Sequence, residues 1–399
     1  MTDRTQGALS GLRVIDLTRV LAGPFCTMML ADMGAEIIKL EQPTLGDDSR
    51  HFAPFLNGES AYYMNLNRNK KGITLNLKGK GRDIFLDLVK TADVVVENYR
   101  PGTMDRLGLG YEILKEVNPR LVYGAVSGFG DTGPYRLRPG YDIIGQAMGG
   151  LMSTTGWPGG DPTRSGTAMG DVLAGLSVTI GILSALRCRD QTGMGQKVDV
   201  ALVDSVVASL EIITQIYLAE GRVPERIGNR YESCYPYDSF KARDGNVVIA
   251  AANDKLWSLV CQVIGRPELA SDLEFNTNPK RVARHADIKL ILEEWTTAHD
   301  VDEVVEKMLA AGVPSAPINT VDRLVTDPHI AGAREMFVDI EHPKAGMTKL
   351  TGAHIKLTGT PATVRTPAPE LGQHNLDVFG TLLGMSAGHL DQLRREGII

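Results

Sequence analysis

Short runs of β-branched and apolar residues alternate with stretches of helical period through the first 130 residues of the chain. LRVIDL (12–17), AEIIKLE (35–41), GITLNLK (72–78), DVVVEN (93–98) and RLVYGAV (120–126) read as strands. Between them, FCTMMLADM, GRDIFLDLVKTA (81–92) and a segment near 111–117 read as helices, with LAGP (21–24) as a turn and Gly34 ending the first helix. Strand, helix and strand in that order make βαβ units, which favour a parallel sheet with right-handed crossovers. An open α/β sheet binds ligands beyond the carboxyl ends of its strands. LAGP, ENYRPG and SGFGDTGP fall at such ends.

A second sector begins near residue 140 with the Gly-rich, nearly uncharged PGYDIIGQAMGGLMSTTG and then SGTAMGDVLAGL (165–176). GQKVDVAL (195–202) reads as a strand and 203–221 as one long amphipathic helix. GRVPERIGNR (221–230) is a Pro/Gly/Arg connector and the expected domain boundary. Beyond it, SFKARDGNVVIAAA (239–252) reads as a hairpin turning at Asp244-Gly245-Asn246. Helices are expected around 254–264 and 281–312, then extended, Pro-containing strands after AAGVPSAPI (310–318) and a short terminal helix at AGHLDQLRRE. The connector near residue 222 and the return to extended structure after residue 320 mark off the middle of the chain from its two ends.

Composition narrows the function. The 399 residues carry a net charge of −6, with 43% hydrophobic and 23% charged residues, and the basic residues are scattered. That balance argues against nucleic acid or an anionic membrane as the main partner. Cys26, Cys188, Cys234 and Cys261 show neither CxxC nor metal-ligand spacing and read as buried free thiols. The N-terminus MTDRTQGALSG is polar, so no export is indicated and cytoplasm is the default. The longest apolar run, Val172–Leu186, is shorter than the roughly 20 residues of a membrane span.

No histidine stands between His51 and His285, so chemistry in the N-terminal half uses no imidazole from there. The first strand–helix turn lacks GxGxxG, which leaves Glu41 a weak mimic of a ribose-binding acid. Arg19, Lys70, Lys71, Lys78, Arg100 and Arg106 read singly as solvated charges and together as a phosphate-holding set. Arg-Pro-Gly and Leu-Gly-Leu-Gly in ENYRPGTMDRLGLG let backbone approach a ligand. Asp171 is the odd residue, a lone acid among Gly, Ala, Met and Leu. It reads either as an N-cap of the apolar helix that follows or as a carboxylate nucleophile. In the second reading Gly166, Gly170 and Gly175 give an acyl group room and expose N–H donors for an oxyanion.

The chain resembles the family III CoA-transferases, the formyl-CoA and carnitine CoA-transferase family, nearly end to end. The likeness rests on GLRVIDLTRVLAGPFCTMMLADMGAEIIKLEQP, NRNKKGITLNLK, DVVVENYRPG, PGYDIIGQAMGG, GDVLAGL, TGMGQKVDVAL and LGQHN in order. It implies an α/β fold with a Rossmann-like large domain at 1–222 completed by 325–399, a smaller α+β domain at 223–324, and an interlocked-ring homodimer. Asp171 matches the family's catalytic aspartate. Arg19, Ala22, Leu75, Asn76, Leu77, Lys78, Asn98, Tyr99, Arg106, Arg138 and Tyr141 fall at expected CoA contacts. CoA thioesters are then substrates, and no permanently bound cofactor, metal, nucleic acid or membrane partner is implied. Asp171 would attack a donor thioester, giving a mixed anhydride and then an aspartyl-CoA thioester. Carboxylate and thiolate are taken as already ionised near pH 7, so no base is needed.

Two other readings stay open. α-Methylacyl-CoA racemases are similar around PGYDIIGQ, but their acid/base pair needs a His where this chain has Tyr141, and a phenol is a poor two-way proton carrier near pH 7. The other is a non-catalytic CoA-binding subunit. Leu21 in place of the formyl-CoA transferases' Gln, and the absence of a glycine run in GNRYESCYPYDSF (228–240), disfavour oxalate and formate. NRNKK and LTRVLAGPF are closer to succinate–hydroxymethylglutarate transferases and similar dicarboxylate enzymes, with Arg19, Arg138, Arg164 or Arg230 available for a distal carboxylate.

Overall fold

The computed structural model describes residues 7–399; the polar start of the chain, residues 1–6, lies outside the described residues. Six parallel strands form the central sheet: β1 Arg13–Asp16, β2 Glu36–Glu41, β3 Lys70–Thr74, β4 Val94–Glu97, β5 Val122–Ser127 and β6 Lys197–Ala201. Their order across the sheet is β3-β2-β1-β4-β5-β6, the doubly wound arrangement whose direction of winding reverses between β1 and β4. Alternate residues supply two cores, as period-2 strands must. Val14, Ile37, Val94 and Val96 pack on α1 (Ala22–Asp32), whereas Ile15, Ile38 and Val95 pack under Phe85, Leu114 and Leu390.

Four features differ from the sequence expectation. β3 stops at Thr74, and Leu75–Lys78 leave the sheet because Leu75 N–H turns to the Glu41 carbonyl and Asn76 N–H to Ile398. LAGP is no separate turn, since Ala22, Gly23 and Pro24 open α1, where the missing Pro N–H costs nothing. The expected helix 203–221 is two helices, α5 (Leu202–Ala208 when α2–α4 below are counted) and Glu211–Glu220, broken where Glu211 takes φ 34°. Cys188 is exposed, unlike the other three cysteines.

The remaining helices that build the site are α2 (Ala61–Asn67), α3 (Asp142–Met148) and α4 (Met169–Thr192). The apolar run Val172–Leu186 belongs to this 24-residue α4, long and apolar enough to cross a membrane. In the fold, its Val178, Ile182 and Ala185 are buried in the sheet core instead. α4 crosses α1 so closely that a Cβ on Gly175 would stand 2.8 Å from the Ala22 carbonyl oxygen and 3.0 Å from the Phe25 ring. Gly175→Ala is therefore expected to lower stability by about 1–3 kcal/mol, read from the denaturant midpoint.

The chain divides into two compact units: Met1–Leu151, Arg164–Gln215 and Pro328–Ile399 in one, Met152–Thr163 and Ile216–Asp327 in the other. Met152–Thr163 thus goes with the smaller unit. That unit holds a three-stranded antiparallel sheet, with Tyr237–Lys241 paired to Asn246–Ala250 and the latter to Ser315–Pro317. Its own core is built on Phe240, Trp257, Ile288 and Met308. The larger unit ends in the ribbon Phe337–His342/Gly346–Thr351 and the helix Ala387–Arg395.

Candidate active site

The turn after β1 is held in an unusual shape by side chains from beneath and beside it. Asp16, fully buried, accepts from Thr18 N–H at 2.9 Å and Thr27 Oγ1 at 2.7 Å, and pairs with Lys70 at 2.9 Å. Lys39, also buried, donates to the Thr18 carbonyl and to Asp47, each at 2.9 Å. Asp47 in turn accepts from Val20 N–H at 3.1 Å, and Asn98 clasps Arg19 by its N–H and its carbonyl, both at 2.8 Å. So held, Val20 sits at φ 66°, a left-handed conformation that costs a β-branched residue about 1–3 kcal/mol. Burial alone would raise the Asp16 carboxyl, but Lys70, Lys39 and the threonine hydroxyls outweigh it and hold it below its usual range. Burial brings Lys70 down to about 8 despite Asp16.

This network corrects one sequence reading and accounts for the weakness of another. Lys70 is a buried ion-pair partner, not a solvated charge. Glu41 is no ribose acid, because Arg50 grips it with two bonds of 2.7 Å and Asp47 N–H donates to it at 2.9 Å.

Asp171 lies in the first turn of α4 but does not cap it. The N-cap position is Ala168, without a side-chain bond, and the cap comes from a different helix. Asp142 Oδ1 accepts from Gly170 N–H at 2.8 Å and Asp171 N–H at 3.4 Å. Gly170 is also glycine for this contact, since a Cβ there would lie 3.1 Å from Asp142 Oδ1; of the three glycines read as acyl space, only Gly166 faces open space. Burial, with the Asp142 carboxylate adding to it, pushes the Asp171 carboxyl up to about 7. The carboxyl thus lies well above the ordinary aspartate range on which the expectation of ready ionisation rests. Tyr62 on α2 was missed in the sequence, where AYYMNLN carries no motif. Burial and the carboxylates of Asp171, Asp47 and Asp142 push its phenol to about 12, so it stays a hydroxyl.

A cavity of about 140 Å³ opens at the β1/β4 switch point, lined by Arg19, Ala22, Asn98, Tyr99, Arg138, Tyr141 and Asp171. Seven expected residues thus converge there, joined by Asp48 and Arg100. Arg19 lies 3.3 Å from Asp48 and stacks 5.4 Å over Tyr99, whereas Arg138 stacks 3.6 Å over Tyr135. The volume suits the acyl end of a thioester and is far below the several hundred cubic ångströms a whole cofactor fills. Leu75, Asn76, Leu77, Lys78 and Arg106 are not brought to this cavity. Leu75 is buried in the core, Asn76 and Lys78 are exposed past the carboxyl end of β3, and Arg106 is exposed in the helix after β4. A larger cavity, about 670 Å³, lies at the amino ends of the strands, with Arg13, Glu36, Lys71 and His374 in its wall. Its cations are spent on neighbours, Arg13 on Glu36 at 2.7 Å and Lys71 on Glu36 at 2.9 Å and Asp377 at 2.6 Å, so volume does not decide the site.

The sheet order and the switch-point cavity are those of a doubly wound α/β fold with a ligand site at the carboxyl ends of its strands. The chain belongs to CoA-transferase family III, whose description matches residues 9–375. It is 43% identical to an acetyl-CoA:oxalate CoA-transferase of Acetobacter aceti, over 94% of this chain and 96% of that one. It is 41% identical to a succinyl-CoA:mesaconate CoA-transferase of Haloarcula marismortui, over the same shares, 94% and 96%. Among solved structures, a CAIB/BAIF family protein from Brucella suis superposes with a TM-score of 0.84 at 38% identity, covering 95% of this chain and 100% of that one.

Proposed function

We propose that the protein moves CoA from an acyl-CoA donor to a carboxylic acid through Asp171. The observation that carries this is the presentation of that acid, part-buried and with a raised carboxyl, into the switch-point cavity. Asp171 attacks the donor carbonyl, the C–S bond breaks, and CoA leaves as thiolate from a mixed anhydride. The thiolate attacks the Asp171 carbonyl, the donor acid leaves, and an aspartyl-CoA thioester remains. The acceptor carboxylate attacks this thioester, giving thiolate and a second anhydride. Thiolate attack on the acceptor carbonyl then forms the new thioester and returns Asp171. No proton is gained or lost over the cycle. α1 has no side-chain cap and Ala22 lines the cavity, so the free N–H groups of its first turn are the oxyanion donors at hand.

A basic carboxylate suits this route. Raised to about 7, Asp171 approaches the thiol range of about 8.5, which makes displacement of CoA thiolate less uphill than from an ordinary aspartate. The molecule is read as an interlocked homodimer working in the cytoplasm. Exposed Ile143, Ile144 and Met148 on α3 and Val207 on α5 are apolar surface for a second chain to cover.

Succinyl-CoA is the proposed donor and a dicarboxylate the acceptor, with Arg19 and Arg138 in the cavity wall as partners for a distal carboxylate. The likeness to an oxalate enzyme keeps oxalate among the acceptors despite Leu21. A matrix of succinyl-, acetyl- and butyryl-CoA against oxalate, mesaconate, glutarate and malate, read by mass, is expected to show CoA exchange led by succinyl-CoA. A succinyl-CoA row inert throughout discards the donor assignment. Racemisation is tested in the same tubes. Deuterium entering Cα of an acyl-CoA with no acceptor present would sink the transferase mechanism in favour of proton abstraction by the Tyr141 region.

A further inference from the structure

Asp142 has no part in the covalent steps, yet more of the site depends on it than on any arginine in the cavity. Its Oδ1 takes the N–H groups of Gly170 and Asp171, at 2.8 and 3.4 Å, and its Oδ2 accepts from Gln146 Nε2 at 2.8 Å. Gln146, fully buried one turn along α3, accepts from Ser165 N–H at 3.0 Å and Ser165 Oγ at 3.2 Å, and reaches the Thr167 carbonyl at 3.4 Å. One side-chain pair on α3 thus fixes both the loop Ser165–Thr167 and the first turn of α4. Without it that turn has no side-chain acceptor, because Ala168 offers none.

We propose that Asp142, locked by Gln146, is a positioning residue: it holds the first turn of α4 so that Asp171 meets the acyl carbonyl with the Asp142 carboxylate beside it. The inference rests on Asp171 being the nucleophile. Other groups around Asp171 do not take this part. Tyr62 from α2 is a neutral phenol, and Arg19, Asp48, Arg100, Arg138, Tyr99 and Tyr141 stand in the cavity wall. α1 brings Asp32, which is paired with Arg68 at 2.7 Å, and Cys26, whose buried thiol is pushed up to about 12, and Asp204 on α5 is exposed. Burial and Asp142 are what raise the Asp171 carboxyl.

The two functions of Asp142 separate by substitution. Asp142→Asn keeps an oxygen for the Gly170 N–H but loses the charge and the acceptor for Gln146 Nε2, whereas Asp142→Ala loses all three. Purified wild type, both variants and Asp171→Asn are assayed with succinyl-CoA from about pH 5.5 to 9. For Asp142→Asn the acid limb of kcat/KM is expected to move down by about half to one pH unit, with the plateau within about threefold of wild type. For Asp142→Ala kcat is expected to fall at least about tenfold with the KM for succinyl-CoA within twofold, a loss that Asn rescues. An unmoved acid limb in Asp142→Asn overturns the proposal, and so does an Asp142→Ala enzyme with wild-type kcat. If Asp142→Ala does not fold, the Asp142→Asn profile decides alone. Turnover by Asp171→Asn would instead remove the nucleophile assignment beneath it, so the two failures are told apart.

Discussion

Asp171→Asn is expected to fold and to be at least as stable as wild type, with CoA transfer reduced by about 10³-fold or more. An amide cannot form the anhydride, so intact-mass analysis after mixing with acyl-CoA should show a covalent adduct on wild type and none on the variant. Stability moves the other way because the folded carboxyl is pushed up to about 7 from 3.8. A carboxyl raised on folding binds its proton more tightly in the native state, so its ionisation costs stability as pH rises from about 4 through 7. That cost is complete above pH 7 and absent below about 4. Asp171→Asn removes it, for a gain of about 1–3 kcal/mol at pH 8 after allowing for solvent screening of a part-exposed group, shrinking to nothing near pH 4. Denaturant titrations at the two pH values measure the difference. An Asn variant that turns over normally, or that loses several kcal/mol at pH 8, would return Asp171 to a structural role.

The second large effect is the pH profile itself. In the proposed route the attacking species is the Asp171 carboxylate, whose acid is pushed up to about 7. The kcat/KM for the acyl-CoA donor should therefore be half-maximal near pH 7 and fall about tenfold for each unit below 6. An ordinary aspartate, titrating near 3.9, would leave the profile flat down to pH 5, and a flat profile refutes the raised value. The fall must also be absent from the stability of the protein over the same range, since protonating Asp171 favours the native state.

How far the sequence leads depends on whether a feature is local. Ile15, Ile38 and Val95 announce the sheet because a strand buried on both faces writes its period into a few neighbouring residues. Asp171 stands out for a similar reason, as an acid in an apolar run. The cap is different. Asp142 is 29 residues away from Asp171, and an N-terminus capped from another helix leaves no mark in its own stretch, so Asp171 itself looks like the cap. Gly170 and Gly175 mislead in the same way: glycine signals close approach but does not say whether a ligand, a side chain or a neighbouring helix is approaching. The break at Glu211 was illegible because the apolar period runs through it with neither Gly nor Pro. Lys70 looks solvated in the sequence, since nothing local tells that Asp16 folds over it as Asp47 does over Lys39.

Those two buried pairs divide the response of the enzyme to ionic strength. Dissolved ions screen charges that water reaches, over a Debye length of about 8 Å in physiological salt, and act far less on charges sealed inside. Arg19 and Asp48 at the cavity mouth are about half exposed, at 49% and 57%, whereas the side chains of Lys39, Asp47, Lys70 and Asp16 are all at 0%. Raised salt is therefore expected to weaken the proposed capture of an anionic thioester by Arg19 and to leave the left-handed Val20 turn as it was.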